Sequence, residues 1–430
     1  MLILAKIIRS SAGGYAEYLE GKAQASELGD YYLKDGERTE SPGRWAAGAS
    51  RFGLEPSEPV TGKQLHALMD VRRPDTGEEL RRIGGNGEAV AALDATFSAP
   101  KSVSAVWALA GEQLRDQIER AHETAVDRAL EYAARQVPML RRRIGRDAVV
   151  HEKAAGVVAT SWRHTTARAV PGQFPDPQLH SHVLLHAAVR RDGQLVAIDS
   201  RSWLVHQREV GAAYRTELAR ELNQLGFQIQ RGTGRGRRYF EIDGIPQQLL
   251  DRWSSRHHEV QAAIRQRVSD QEKALGAIVA QSGPGAGEAA EQLELLRRTG
   301  LSPAQERMMG TITRQAKAPL TVGDLDGQWR RAALWHHVCI ERIEVLRHRP
   351  GPLEPAAKRF AESMGNWARR VSISRPGLTQ FTWVTVSRSD TQLTTPRSDS
   401  SATAPTPRSS SFNLAPGNSN SSSPTELTLS

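Results

Sequence analysis

Two histidines one residue apart, His180 and His182, open a β-prone apolar run in the segment Asp176-Pro177-Gln178-Leu179-His180-Ser181-His182-Val183-Leu184-Leu185. In a strand, alternate side chains share a face, so both imidazoles point one way and Ser181 the other. Two imidazoles on one strand face can chelate a divalent cation when a third ligand arrives from a neighbouring strand. His164 is the candidate, at the end of Gly156-Val157-Val158-Ala159-Thr160-Ser161-Trp162-Arg163-His164. The segment between is rich in Arg, Pro and Gly and offers no helix, whereas a parallel crossover needs a dozen or more residues and usually a helix. The two strands therefore read as antiparallel neighbours around a three-histidine metal site. Taken alone, His180 and His182 equally fit a half-exposed polar strand face. His186 shares that face but lies about 13 Å further along the strand, too far to join the same ion, and reads as packing.

Around this pair, strands and helices alternate. Met1-Leu2-Ile3-Leu4-Ala5-Lys6-Ile7-Ile8-Arg9 reads as a first strand, without the apolar stretch and cleavage site of a signal peptide. Residues 113–137 carry Ile118, Ala121, Ala125, Ala129 and Ala133 at helical spacing, with Pro138 just beyond and Arg141, Arg142 and Arg143 following. A second helix runs from about Trp203 to Leu225, closed by Gly226. Phe227–Gln230 and Tyr239–Ile242 form a hairpin whose tip holds Arg231, Arg235, Arg237 and Arg238 and no acid. Such a tip is either solvated or a phosphate clamp. From Val268 the chain turns helical and polar, interrupted at Ser282-Gly283-Pro284-Gly285-Ala286-Gly287. From about Ser387, Ser, Thr and Pro dominate, and a tail of that composition cannot bury enough surface to fold. The expected architecture is α+β: a palm-like central antiparallel sheet with flanking helices carrying the histidine site over 1–280, a helical connector or truncated region over 281–386, and a disordered tail over 387–430.

Four of the seven tyrosines, Tyr15, Tyr18, Tyr31 and Tyr32, fall in the first thirty-two residues. A phenol is a poor nucleophile while protonated, at a pKa of about 10. It becomes useful when a base takes its proton and a metal stabilises charge on the group attacked. By itself, the spacing of Tyr15 and Tyr18 fits one packed helical face better.

Three blocks in order resemble the relaxase domain of the MobF-class conjugative relaxases (TrwC/TraI type) of the HUH endonuclease superfamily. The first is Tyr18 with Asp30-Tyr31-Tyr32-Leu33-Lys34-Asp35-Gly36, the second Leu93-Asp94-Ala95-Thr96-Phe97-Ser98-Ala99-Pro100-Lys101-Ser102-Val103-Ser104. The third joins Arg163-His164-Thr165-Thr166-Ala167-Arg168 to the His180 and His182 segment. The likeness covers roughly 1–270 and fades through about 335. It implies that Tyr18 attacks a phosphodiester in single-stranded DNA, giving a 5′-phosphotyrosine and a free 3′-hydroxyl. Tyr31 matches the second catalytic tyrosine, used for later strand transfer, with Tyr32 beside it. His164, His180 and His182 would hold one divalent ion, magnesium or manganese at work and zinc or nickel in vitro. Asp94 would orient a ligand histidine or accept the Tyr18 proton, and Lys101 and Arg168 would meet phosphates. Origin-of-transfer hairpin DNA, relaxosome proteins, a coupling protein and a separate helicase are the implied partners. Leu19 stands where many relatives carry a second tyrosine, Ser181 replaces threonine and keeps a small outward hydroxyl, and Val170–Phe174 reads as an insertion.

Composition agrees. The net charge of +9 favours a polyanionic partner, and 39% hydrophobic residues suffice for a core over the first three hundred. No run of eighteen apolar residues predicts a membrane span, and a lone cysteine, Cys339, fits a reducing cytoplasm. Both Gly-Lys pairs, Gly21-Lys22 and Gly62-Lys63, lack the following Ser or Thr of a Walker A sequence, so no helicase motor is expected. A rolling-circle replication initiator would share the chemistry but place its tyrosine after the histidine pair. A non-catalytic DNA-binding remnant of a relaxase-helicase would be expected to have lost some of Tyr18, Asp94 and the three histidines, all of which are present.

Overall fold

The computed structural model describes residues 1–9, 42–83, 90–144, 148–232, 239–313 and 322–347. In chain order the elements begin with strands β1 (Leu2–Ile8) and β2 (Arg44–Ala47), helix α1 (Gly62–Met69) and strand β3 (Val90–Ser98). Helices α2 (Lys101–Leu109) and α3 (Glu112–Gln136) follow, then β4 (Leu140–Ile144), β5 (Ala148–Glu152), β6 (Gly156–Thr166), β7 (Pro177–Val189) and the short β8 (Leu195–Val196). Next come α4 (Ser200–Gln224), β9 (Ile229–Arg231) and β10 (Phe240–Ile242). The described chain closes with α5 (Gln247–Arg252), α6 (Ser255–Ala280), α7 (Ala286–Thr299), α8 (Pro303–Ile312), α9 (Val322–Leu334) and α10 (Ile340–Arg347).

The central sheet has the order β1-β3-β7-β6-β2, with β8 also on β7, and every pairing is antiparallel. This is the expected α+β palm. β7 lies in the middle and is buried almost throughout, because both sheet faces are covered. On one face Leu93, Ala95, Phe97, Val183 and Leu185 pack against the apolar stripes of α2, α3 and α4. On the other, Ile7, Trp45, Val158, Trp162 and Leu184 meet Phe52 and the α1 residues Leu65, Leu68 and Met69.

The helices follow their periodicity. Ile118, His122, Ala125 and Ala129 share the buried face of α3, whose C-cap Val137 precedes Pro138. Helix α4 buries Val210, Tyr214, Leu218 and Leu222. Gly226 then turns the chain with φ 95, where its hydrogen sits against the Arg347 carbonyl and a side chain would collide. The polar helical region starts earlier than the expected 268, at Ser255, and α6 buries no side chain fully. It breaks where the glycine cluster lies, between α6 and α7. Further on, α9 and α10 return to the core: Trp329 packs edge-on to Trp107 at 5.9 Å and donates to the Pro175 carbonyl at 2.9 Å. Arg115 pairs with Asp326 at 2.7 Å.

Candidate metal centre

Sheet register assembles the centre. His164 on β6 pairs directly with His180 on β7, and His182 lies between Trp162 of β6 and Thr96 of β3. The three imidazoles offer ligand nitrogens that all lie within 4.8 Å of one another. Their ring centroids form a nearly regular triangle, 4.9–5.3 Å on a side. His164 is fully buried, whereas His182 retains 9% exposure.

Two of the rings are fixed through Nδ1. His182 Nδ1 lies 2.8 Å from Asp94 Oδ2 and 3.2 Å from the Thr96 hydroxyl, which itself lies 3.3 Å from Asp94 Oδ1. A buried carboxylate accepts, so Nδ1 carries the hydrogen and the lone pair is placed on Nε2. His180 Nδ1 donates to the Gln178 carbonyl at 2.8 Å, which sets the same tautomer. Nε2 donors oriented by a carboxylate and a carbonyl match the way metal-binding histidines are usually held. Tetrahedral coordination at 2.0–2.1 Å would bring the nitrogens to about 3.4 Å apart, a contraction within reach of small side-chain rotations. The donor set therefore fits one divalent cation.

The other face of β7 corrects the reading of Ser181. Its hydroxyl is not outward: the residue is 1% exposed and bonds His122 Nε2 at 2.9 Å. His122 Nδ1 in turn meets the Tyr214 hydroxyl at 2.8 Å. The threonine-to-serine exchange thus sits in a closed polar chain between the sheet and helices α3 and α4. Burial holds the His122 imidazole well below its ordinary pKa and the Tyr214 phenol well above its own. A neutral imidazole gives one donor and one acceptor, which is what two hydroxyl neighbours require. His122 was missed from sequence, although a histidine in the apolar stripe of 113–137 was the available signal. His186 is buried on the sheet face that carries the three histidines, 3.0 Å from the Thr160 hydroxyl, with burial lowering its pKa to about 3. It packs, as expected.

Of the remaining predicted residues, the structure describes Lys101, Arg168 and Arg231, and their positions differ. Lys101 opens α2, but its ammonium donates to the Pro177 carbonyl at 3.1 Å, and burial lowers its pKa to about 8 against the opposing pull of Asp176 and Glu241. Arg168 is half-buried in the loop between β6 and β7. That loop is closed by Ala167 N–H donating to the Asp176 carbonyl at 2.8 Å, and it leaves His164 in register with His180. Arg231 ends β9, exposed, opposite Phe240. Arg235, Arg237 and Arg238 lie outside the described residues, as do Tyr18, Tyr31 and Tyr32.

A sequence model of the TrwC relaxase family matches residues 12–335. The chain belongs to the TrwC relaxase family. Among solved TrwC relaxase structures, one described as a copper-bound complex with OriT DNA is 28% identical, with a TM-score of 0.58, covering 79% of this chain and 100% of that one. A metal-free complex and a metal-bound complex with OriT DNA each show 26% identity and a TM-score of 0.57 over the same shares. Two Escherichia coli proteins named multifunctional conjugation protein TraI are 28% and 27% identical over 247 residues. That alignment covers 55% of this chain but 13% of either relative, so the chain spans a small part of their length.

Proposed function

We propose that this TrwC-family chain nicks one strand of DNA at an origin of transfer by tyrosine transesterification, in plasmid conjugation or mobilisation. The observation that carries the reading is the triangle of His164, His180 and His182, with Asp94 fastened to His182 from the adjoining strand. The Tyr18 oxygen attacks phosphorus, the 3′-oxygen departs and takes up a proton, and the DNA stays joined to the protein as a 5′-phosphotyrosine. When bound, a divalent cation supplies Lewis-acid polarisation of a phosphate oxygen. Asp94 serves by keeping His182 in its ligating tautomer, a role its contacts with His182 and Thr96 favour over proton acceptance. Tyr31, with Tyr32 beside it, takes the later strand transfer. The cation is magnesium or manganese in use, while three neutral imidazoles also suit zinc or nickel in vitro. Because phenolate leaves readily, the bond is reversible, as rejoining a transferred strand requires.

The DNA recognised is single-stranded, with an origin hairpin, and the TrwC structures solved with OriT DNA support that reading. Arg231, Arg235, Arg237, Arg238 and Arg168 contribute phosphate contacts; Lys101 does so only by giving up the Pro177 carbonyl. Relaxosome proteins and a coupling protein complete the system in the cytoplasm. No helix among the described residues is long and apolar enough to cross a membrane. Incubating the protein with single-stranded oligonucleotides from its own replicon should give a covalent adduct that maps to Tyr18. Tyr18→Phe keeps the ring and removes the attacking atom, so the adduct should vanish while DNA binding persists. Tyr31→Phe should still cleave. DNA mapped to Tyr31 would reverse these roles, and no adduct with any divalent metal would leave only DNA binding.

A further inference from the structure

The ribbon β4–β5 carries three consecutive arginines that the reaction above does not use. Arg141, Arg142 and Arg143 line a cleft of about 430 Å³ together with Glu152, Arg190 and Asp199. Its charges are unevenly matched. Arg142 is paired with Glu152 at 2.5 Å, and Arg190 with Asp192. Asp199 is engaged as the N-cap of α4, accepting from Arg201 N–H at 3.1 Å and from the Ser202 hydroxyl at 3.2 Å. For Arg141 and Arg143, no carboxylate among the described residues lies within ion-pair distance, and both are exposed. They pair with His151 and Val149 across the ribbon and, being two apart, share one of its faces. Two guanidiniums that line one cleft and have no carboxylate partner among the described residues select for anions, and the planar fork of arginine matches phosphate geometry.

The position of the cleft tells which phosphate. It lies by the β7–β8 end of the sheet, where Val189 pairs with Gly156 and Leu195. The histidines lie towards the other end of the same two strands, and nine residues of β7 from His180 to Val189 span about 30 Å. A ligand held at both places must be extended and carry phosphate along its length.

We propose that the Arg141–Arg143 cleft is a remote clamp for the phosphodiester backbone of DNA whose reacting phosphate sits at the histidines. The proposal rests on the nicking reading for its ligand, and on the cleft alone for its charge. Arg142 and Arg190 keep their carboxylate partners, and Arg141 and Arg143 each displace one counterion from the backbone.

The test is the salt dependence of binding, read by fluorescence anisotropy with a duplex of about 20 base pairs and a single strand of about 20 nucleotides, both of random sequence, between about 50 and 200 mM salt. Each phosphate contact contributes close to −0.9 to the slope of log K against log salt for duplex and −0.7 for a single strand. Arg141→Ala with Arg143→Ala should flatten that slope by nearly two on the duplex arm, or by about one and a half on the single-strand arm. Affinity near 0.1 M salt should fall by roughly five- to tenfold per arginine. The arm that changes identifies the form of DNA held. Arg141→Lys with Arg143→Lys should keep the wild-type slope, since charge rather than packing does the work. Unchanged slopes on both arms, or a lysine pair as flat as the alanine pair, would overturn the clamp. Adduct formation by the wild-type chain is scored separately, so a failed nicking reaction removes the reading at the histidines without being mistaken for a failed clamp.

Discussion

Asp94→Asn isolates the part of the site that the structure defines most sharply. The Asp94 carboxylate is 6% exposed at its side chain and accepts from His182 Nδ1 at 2.8 Å. The substitution keeps shape and volume but removes the charge that fixes the tautomer, and an amide can also turn its NH2 towards Nδ1. Partners of metal-bound histidines typically contribute about 10- to 100-fold in metal affinity. Here the Thr96 hydroxyl, 3.2 Å from the same Nδ1, offers a second acceptor. The loss should therefore fall in the lower part of that range, about 10- to 30-fold, or about 1.4–2 kcal/mol. Competition with a chromophoric chelator for manganese and for zinc at neutral pH measures it. Adding Thr96→Val should deepen the loss, because it removes the hydroxyl acceptor as well and leaves His182 Nδ1 facing a neutral amide that can turn either end towards it. An affinity for both metals within about threefold of wild type in the double variant would refute the reasoning: the tautomer would then be set elsewhere, and Asp94 would be available for the Tyr18 proton after all.

Three further outcomes follow from the same geometry. Replacing His180 and His182 together with alanine should abolish the bound cation, read as metal stoichiometry after dialysis; unchanged stoichiometry would place the metal elsewhere. His122→Leu strands the Ser181 and Tyr214 hydroxyls in the core at about 1–3 kcal/mol each, so urea unfolding should show a loss of about 2–6 kcal/mol. Acid should destabilise the metal-free protein. Burial keeps His122 and His186 neutral when folded, His186 down to about 3, while unfolded imidazoles take a proton below pH about 6.5. The unfolded state then binds more protons, and stability should fall by up to about 1.4 kcal/mol per pH unit per histidine on going below that value. Asp176 and Glu241, whose carboxyls burial raises, oppose this through the carboxylate range. Urea midpoints that stay flat between pH 7 and 5 would contradict the assignment of two neutral buried rings.

The histidine triangle was legible in the sequence because its members obey two local rules. Alternation put His180 and His182 on one face, and a short helix-free connection made β6 the antiparallel neighbour that delivers His164. The long helices were legible for a similar reason, their apolar stripes being written at helical spacing. What lay beyond local rules stayed hidden. Thr96 joins His182 through the β3–β7 register, and no pattern within either strand announces that pairing. Lys101 was a phosphate contact only by the family resemblance, and tertiary packing aims its ammonium at the Pro177 carbonyl. Ser181 was expected to keep an outward hydroxyl on the side away from the histidines, whereas this sheet is covered on both faces. The arginine triplet at 141–143 was visible as composition, yet only the fold shows that it lines a cleft beside the β4–β5 ribbon.

The two faces of β7 explain how an exacting donor set can rest on a strand. Residues 180, 182, 184 and 186 turn to the side of the histidine triangle, while 179, 181, 183 and 185 fill the interface with α2, α3 and α4. A slip of one residue would bury both ligand histidines among those helices and send Leu179 and Val183 to the site. Sheet register is therefore held twice: by apolar burial on the helix side, and by the Ser181–His122–Tyr214 chain, which accepts a hydroxyl at only one position of the strand. The polar chain is costly if broken and weak as a source of net stability, so its contribution is positional. It locks the residue between the two ligands from behind, leaving the imidazoles to be oriented from the front by Asp94 and the Gln178 carbonyl. On this argument Ser181→Ala, which empties the position without moving the strand, should weaken the fold far less than His122→Leu. The alanine frees one His122 nitrogen, whereas the leucine strands two hydroxyls at once.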